Sequence, residues 1–169
     1  MSHKILKTID MDLSTKSIDL AIREIRQFQE GLKQTCWELV EALTMEGAEI
    51  AKMQVASMDA VYTGELEQSI KGLFFPSERC GFVIAEAPYA IYVEYGTGIV
   101  GKENPHPEAA GNYDYDVNNH GIMGWVYKND NDGKFYWTKG FVSRPFMYNT
   151  LKWLEEAAPE RMSGMLSQM

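Results

Sequence analysis

The feature that most constrains the fold is an apolar stripe within residues 14–57. Its members recur in alternating steps of three and four, apart from one gap that Phe28 or Gln29 fills. This spacing predicts one face of a long α-helix, close to a heptad repeat. Either that face packs on the core, which is the default, or it makes a helix-to-helix contact between subunits. The members are Ile18, Ile22, Ile25, Leu32, Cys36, Leu39 and Leu43.

Both ends of this helix have sequence signals. Residues 14–17 (STKS) supply hydroxyl groups of the kind that begin a helix, and the pattern continues to about Ser57. Gly31 and Gly47 are weak points that each cost about 1 kcal/mol relative to alanine. We therefore expect one long helix, or two helices joined by a bend at one glycine.

Other segments have the patterns of strands. Residues 70–75 and 80–85 are rich in β-formers and flank the turn sequence PSER, which predicts an antiparallel hairpin. Residues 62–69 are expected to form a turn that leads into this hairpin. The alternation of apolar and polar residues in 5–13 predicts an N-terminal strand or arm (residues 1–13) whose acidic face suits a sheet edge.

A tyrosine-rich segment, residues 87–98, follows the hairpin. Tyr89, Tyr92 and Val93 lie three and four residues apart, so they share one face of a short helix. Pro88 suits the first position of that helix, and Gly96 suits an exit with positive φ. The segment predicts a short buried helix, and on the residues alone a plain core element is the default.

Residues 98–140 differ in composition from the rest of the chain. They are rich in Gly, Asn, Asp and Pro, and residues 124–127 and 135–138 predict an exposed two-stranded ribbon. Loops this long are usually functional or disordered. A final helix is expected to begin at Pro145, and Pro159 is expected to stop or kink it.

These elements predict an α+β fold. A long N-terminal helix, or two, and a C-terminal helix pack on a small antiparallel sheet. Residues 98–140 form a long loop or β-ribbon insertion. At 169 residues the chain fits a single domain, residues 1–169, that is long enough to bury a core.

Charge and composition argue against several classes of function. The chain has 16 Lys and Arg against 24 Asp and Glu, a net charge of −8. Tight nonspecific binding of nucleic acid needs clustered cations, which this balance does not favour. No apolar run approaches the roughly 18 residues of a membrane span. Cys36 and Cys80 are too few for a disulfide framework.

Residues 96–102 (GTGIVGK) match two phosphate-binding sequence patterns, but they lack features that phosphate binding requires. A phosphate loop needs Ser or Thr after its Lys, and Glu103 stands there instead. Both patterns also need a following helix, which residues 104–107 (NPHP) block. We therefore expect no nucleotide site.

Asp130 and Asp132 resemble part of a calcium loop. In that register the first and last ligands would be Lys128 and Lys139, which cannot bind a cation. A tight turn is the better interpretation.

The remaining polar residues give no catalytic constellation. His106 lies between two prolines and is expected to be an exposed loop residue, and the histidines have no metal-ligand spacing. Asp114 and Asp116 are more often solvated than engaged in acid–base work. The sequence predicts no catalytic residue, no cofactor site and no metal site.

Three segments of the chain resemble one protein family. They are residues 63–70 (TGELEQSI), 87–97 (APYAIYVEYGT) and 143–147 (SRPFM). They are similar to the TG-x-L-x-x-S-I, Y-A-x-Y-V-E-x-G-T and R-P-F-hydrophobic motifs of the tailed-phage neck and tail-completion proteins, typified by gene product ten of a lambda-like siphophage. The middle motif is the most specific of the three.

The resemblance implies a virion structural protein without catalysis or cofactor. It implies a homo-oligomeric ring between the head and the tail tube, assembled in the host bacterial cytoplasm and contacting neighbouring neck and tail proteins. DNA would pass through the lumen without specific binding. The motif residues implied to be structural are Tyr89, Tyr92, Val93, Glu94, Gly96, Thr97, Arg144, Pro145 and Phe146.

The chain departs from the family pattern at two places. Residues 98–143 intervene where the family has a shorter loop, and residues 148–150 (YNT) stand where a small residue is expected. Glu94 is either a buried partner of Arg144 or a solvated residue at the end of its helix.

Several alternatives stay open at this point. A tail terminator, a neck protein and a head-closure protein are not separated by the sequence, and the particle is either a phage, a prophage product or a tail-like bacteriocin. A small hydrolase that uses acids in the long loop, and a monomeric binding module that uses residues 98–140, are the alternatives outside the virion.

Overall fold

The elements below come from a computed structural model, which describes residues 8–58, 64–109, 113–116, 118–129 and 132–167. Long helices near both ends of the chain pack with a small antiparallel sheet, which is the predicted α+β fold. In chain order the elements are α1 (Thr15–Ser57), α2 (Glu65–Ser69), β1 (Ile70–Phe75), β2 (Cys80–Ala85), α3 (Ala90–Tyr95), α4 (Gly98–Glu103), a 3-10 turn (Gly121–Met123), β3 (Trp125–Lys128), β4 (Phe135–Thr138), β5 (Gly140–Phe141) and α5 (Phe146–Leu166).

The N-terminal helix α1 is one continuous helix of 43 residues. The hydroxyl of Ser14 caps it by accepting the N–H of Ser17, as the hydroxyl-rich start predicted. Neither glycine breaks the helix. Gly47 instead permits close packing, since a Cβ there would lie 2.9 Å from a methyl group of Val83.

The β1–β2 hairpin has the predicted bounds and pairs Ile70 with Ala85 and Phe75 with Cys80. Its backbone lies directly on α1. A Cβ at Gly81 would lie only 1.8 Å from the hydroxyl oxygen of Thr44, so a glycine is required for this contact.

Helix α5 runs antiparallel to the second half of α1. Asn149 lies near Gln54, and the Leu154 side chain lies near Gly47, so α5 advances towards the start of α1. The core lies between these helices, the hairpin and α3. Its buried members are Ala48, Ala51, Val55, Leu66, Ile70, Ala87, Ala90, Val93 and Phe146.

The first half of α1 extends beyond this core. At 1.5 Å per residue α1 is about 64 Å long and α5 about 31 Å, and the two helices meet at the end of α1. Of the apolar stripe, Leu39 is buried, whereas Ile22 and Ile25 are exposed. The core-facing interpretation therefore holds only for the second half of the helix.

Two predictions on secondary structure are wrong, and a third is wrong in one of its two alternatives. Residues 8–13 belong to no strand; the Asp12 carboxylate instead accepts the N–H of Ser14, the N-cap of α1. Residues 1–7 lie outside the described part. Residues 65–69 form the short helix α2 rather than a turn. Pro159 does not stop α5, which continues to Leu166, whereas the alternative of a kink at Pro159 stays a prediction. Pro159 is exposed, so water can satisfy the carbonyl it leaves unpaired.

The insertion contains more regular structure than a loop. Strands β3 and β4 form the predicted ribbon, and α4 and the 3-10 turn precede it. Within the described ranges no helix is long and apolar enough to cross a membrane.

Candidate functional site

The three segments with family-like motifs meet in the core. Leu66 and Ile70 come from the first segment, Val93 from the second and Phe146 from the third, and all four are buried in one cluster. Thr63 lies outside the described residues. The segments are separated by up to 80 positions in sequence, so their meeting is a property of the fold.

The tyrosine-rich segment forms the helix α3, as predicted. Val93 is buried and Tyr89 packs against the core, whereas Tyr92 is only half-buried. The chain leaves α3 at Gly96 with a positive φ of 80°. A Cβ there would lie 2.7 Å from the backbone nitrogen of Ser143, so both the backbone angle and the close approach require glycine.

Glu94, which lies on α3, is buried and caps the N-terminal end of the C-terminal helix α5. Its Oε2 accepts the N–H of Met147, and its Oε1 accepts the N–H of Tyr148, each at 2.9 Å. These N–H groups belong to the first turn of α5, where no intrahelical acceptor exists. A carboxylate is stabilised at this end of a helix by the helix dipole. Glu94 therefore fixes α5 to α3.

His106 completes the environment of Glu94. Glu94 and His106 are 7 % and 4 % exposed, and Oε1 of the carboxylate lies 2.9 Å from Nε2 of the imidazole. The N–H of Glu108 donates to Nδ1, so the ring hydrogen lies on Nε2 and is donated to Glu94. The prediction that His106 is exposed is wrong. The flanking prolines suggested a loop, and no local pattern signals a distant carboxylate.

Aromatic rings enclose this histidine. Tyr95 lies against the imidazole with ring centroids 4.4 Å apart, and Tyr148 meets it edge-on at 5.3 Å. Tyr113 in turn stacks on Tyr95. Burial is the main cause that raises the pKa of the Tyr113 hydroxyl, which donates to the Gly96 carbonyl.

Arg144 does not pair with Glu94, so that predicted pairing is wrong, and so is the alternative of a solvated Glu94. The guanidinium Nε donates to the carbonyl of Met58, the C-cap residue of α1. The backbone N–H of Arg144 donates to the carbonyl of Val93. Arg144 thus joins the end of α1 to α3, while Pro145 occupies the N-cap of α5.

Two glycines bring the ends of the insertion together. Thr97 bridges Phe141, and Gly98 bridges Gly140, in antiparallel pairs. A Cβ on Gly140 would lie 1.9 Å from the carbonyl oxygen of Thr97. The first and last residues of the insertion are therefore held side by side. We call this place, residues 97–98 and 140–141, the insertion base.

The phosphate-like segment is occupied by the protein's own backbone. Helix α4 begins inside the motif, at Gly98, which the sequence did not predict. The N–H of Gly98 donates to the carbonyl of Tyr115, and that of Val100 donates to Lys139. These N–H groups are therefore not free to bind phosphate.

The acidic residues of the insertion cap turns. Asp116 accepts the backbone N–H groups of His120 and Gly121, and Asp114 accepts that of Asp116. Asp132 accepts the N–H of Lys134, consistent with a turn; Asp130 lies outside the described residues. No group of three metal-binding side chains is found in the described ranges.

A small cavity of about 130 Å³ lies beside the insertion base. Trp125, which stacks on His120, forms one wall. The hydroxyls of Thr97 and Tyr115 are buried there without a hydrogen-bond partner among the described residues.

Both faces of the ribbon are exposed, and the face opposite Tyr127 and Tyr136 is the more exposed of the two. Val126 pairs with Trp137, and Lys128 pairs with Phe135, so these four side chains share a side of the two-stranded sheet. We call them the ribbon face. Its three apolar members are among the most exposed in the chain: Val126 61 %, Phe135 72 % and Trp137 60 %.

A second apolar surface lies between α1, β2 and α5. It is a groove of about 360 Å³, which we call the apolar groove. Its hydroxyl groups are satisfied internally, since Thr44 donates to Val40 and Thr150 donates to Phe146. The principal apolar lining residues are Val40, Leu43, Val83, Met147, Leu151 and Leu154.

Comparison with known proteins gives no relative. No family model, no curated protein and no solved structure matches the chain.

Proposed function

We propose that this chain is a structural protein of a tailed phage, a prophage or a phage-tail-like particle. It forms a ring in the neck between the head and the tail tube, in a tail-completion or head–tail joining role. The observation that carries the proposal is the meeting of the three motif segments in one core. Leu66, Val93 and Phe146 pack together there, so the motifs act as one structural unit.

The surface of the molecule supports an assembly role. The exposed apolar side chains of the first half of α1 and the ribbon face lie outside the core. Exposed apolar patches of this kind mark contacts with other proteins. A ring subunit needs a folded body and elements that reach its neighbours, and contacts between two different surfaces close into rings when the rotation permits.

The charge is compatible with a DNA duct. The chain has a net charge of −8, and a negative lumen repels phosphate groups. DNA then passes without specific binding.

Deletion of the gene in a phage or prophage that encodes the chain tests this function. The expected result is an accumulation of separate heads and tails, which purified protein joins when it is added to the lysate. A deletion strain that produces joined particles at the normal titre would contradict the proposal.

The second candidate is a monomeric binding module that uses residues 98–140. The cavity beside Trp125 favours it, since the buried hydroxyls of Thr97 and Tyr115 have no hydrogen-bond partner in the described part of the chain. Such a module is expected to be monomeric in intact particles or absent from them. The first candidate is instead expected to form a ring there, so the state of the chain in particles separates the two.

A further inference from the structure

We propose that the ribbon face of one copy of this chain docks into the apolar groove of a second copy. The contact is head-to-tail, because each copy presents both surfaces. This docking would be the contact between neighbouring subunits of the proposed ring. That such contacts close into a ring rests on the proposed function.

The ribbon face needs a partner surface. A two-stranded sheet alone is marginally stable, and this one exposes Val126, Phe135 and Trp137 on one side. The indole Nε1 of Trp137 already donates to the carbonyl of Met123. The ring therefore has no polar group left that prefers water, and its burial is favourable.

The apolar groove selects an apolar occupant. None of its lining residues is charged, and both hydroxyls that line it already have partners. A polar ligand would lose hydrogen bonds with water and find no replacement there. The volume of about 360 Å³ and the exposed Leu151 on one wall suit an aromatic side chain that enters from outside.

Charge favours this pairing over contact between two ribbons. The ribbon carries Lys128, Lys134 and Lys139 against two aspartates, and Lys128 lies on the ribbon face itself. The two helices that border the groove are net negative, since residues 33–52 of α1 and 152–161 of α5 carry seven glutamates against four lysines and arginines. Three of these glutamates are paired, Glu46 with Arg161, Glu49 with Lys52 and Glu155 with Lys152. Ribbon against groove therefore sets opposite charges together, whereas ribbon against ribbon sets lysines together.

The two surfaces belong to different parts of the chain, which sets the symmetry. The groove is formed by α1, β2 and α5, and none of its lining residues lies in the ribbon. A contact between unlike surfaces leaves one of each free on the pair, so it propagates from copy to copy. Closure depends on the rotation between copies.

Disulfide trapping between two full-length chains tests the contact. Cys36 and Cys80 are free thiols, so both are first replaced by serine. One chain carries Phe135→Cys and an affinity tag, and the other carries Leu151→Cys. The matched control replaces Leu151→Cys with Ile91→Cys, since Leu151 and Ile91 are similarly exposed, at 46 % and 52 %.

We expect the 135–151 disulfide to exceed the 135–91 disulfide by about tenfold or more, because docking raises the effective concentration of the two thiols. Trp137→Asp in the tagged chain is expected to abolish the excess. Equal yields, a dominant 135–135 product or no disulfide at the solubility limit of the protein would each overturn the proposal.

The outcome is separable from that of the proposed function. If the chain forms a ring at the head–tail junction but this disulfide does not form, the docking contact alone is wrong. If the disulfide forms and the chain is absent from particles, the neck role alone is wrong.

Discussion

Glu94 and His106 form a buried pair in which the carboxylate also accepts two backbone N–H groups from the first turn of α5. The pair joins α3, the loop after α4 and the C-terminal helix. Both ring nitrogens of His106 have protein partners, at Glu94 and at the N–H of Glu108. Neither nitrogen is left to exchange a proton with a substrate, so the geometry favours a structural role.

Glu94→Ala is expected to lower the free energy of unfolding by about 3 kcal/mol or more, because it leaves one buried and two part-buried donors without an acceptor. Urea unfolding at neutral pH measures the change. Glu103→Ala is the matched control, since Glu103 is exposed and its loss should change stability by less than about 0.5 kcal/mol. Equal effects of the two substitutions would contradict the assigned role of Glu94.

Phe146→Ala is expected to cost about 3–5 kcal/mol, because the ring is 1 % exposed and its removal leaves a cavity where the motif segments meet. Phe135→Ala, on the ribbon face, should have little effect on the same measurement. A small effect of Phe146→Ala on the unfolding free energy would mean that this core is not the stable centre of the fold.

Gly140→Ala is expected to destabilise the protein by at least about 2 kcal/mol more than Gly133→Ala. Both glycines have positive φ, but only Gly140 would bring a Cβ into the carbonyl of Thr97. The difference in unfolding free energy between the two variants therefore measures the close backbone approach at the insertion base. An equal shift of the melting temperature in both variants would argue against this close approach at the insertion base.

The projecting half of α1 gives a prediction on assembly. The double substitution Ile22→Ala and Ile25→Ala should leave the free energy of unfolding within about 0.5 kcal/mol, because both side chains are exposed. It should reduce head–tail joining. Leu39→Ala, at a buried position of the same stripe, should instead cost about 3 kcal/mol. Normal joining by the double variant would exclude this stripe from the subunit contacts.

Stability at high pH depends on Tyr113. A raised pKa means that the folded state favours the neutral phenol, so this contribution is complete below the unfolded-state pKa of about 10. It is lost as the pH rises through the folded-state pKa. Tyr113→Phe should therefore flatten the fall of unfolding free energy above about pH 10. An unchanged slope in urea titrations would contradict the burial of this hydroxyl.

The sequence predicted the elements whose signals are local. Ser14 caps α1 as expected, the β1–β2 hairpin lies within its predicted bounds, and Gly96 has the positive φ that its position suggested. Each depends on spacing or on backbone preferences of a few neighbouring residues. Such preferences act before tertiary contacts form, so they can be read from the sequence.

The site depended on contacts that no local pattern encodes. His106 is buried because Glu94, Tyr95 and Tyr148 surround it, and those residues are 11 to 42 positions away in sequence. Arg144 was assigned to Glu94 by charge, but the end of α1 offers it the carbonyl of Met58. The alternation in residues 5–13 suggested a strand, although in the described residues 8–13 the Asp12 carboxylate accepts the N–H of Ser14, the N-cap of α1.

Imaging of intact particles tests the central claim most directly. Electron cryomicroscopy of the virion, or of the tail-like assembly, with the chain fitted to the density, locates every copy. The account predicts a closed ring of this chain at the head–tail junction or at the end of the tail tube, with DNA or an open lumen on its axis. Intact, joined particles in which this chain is found at neither position would contradict the account.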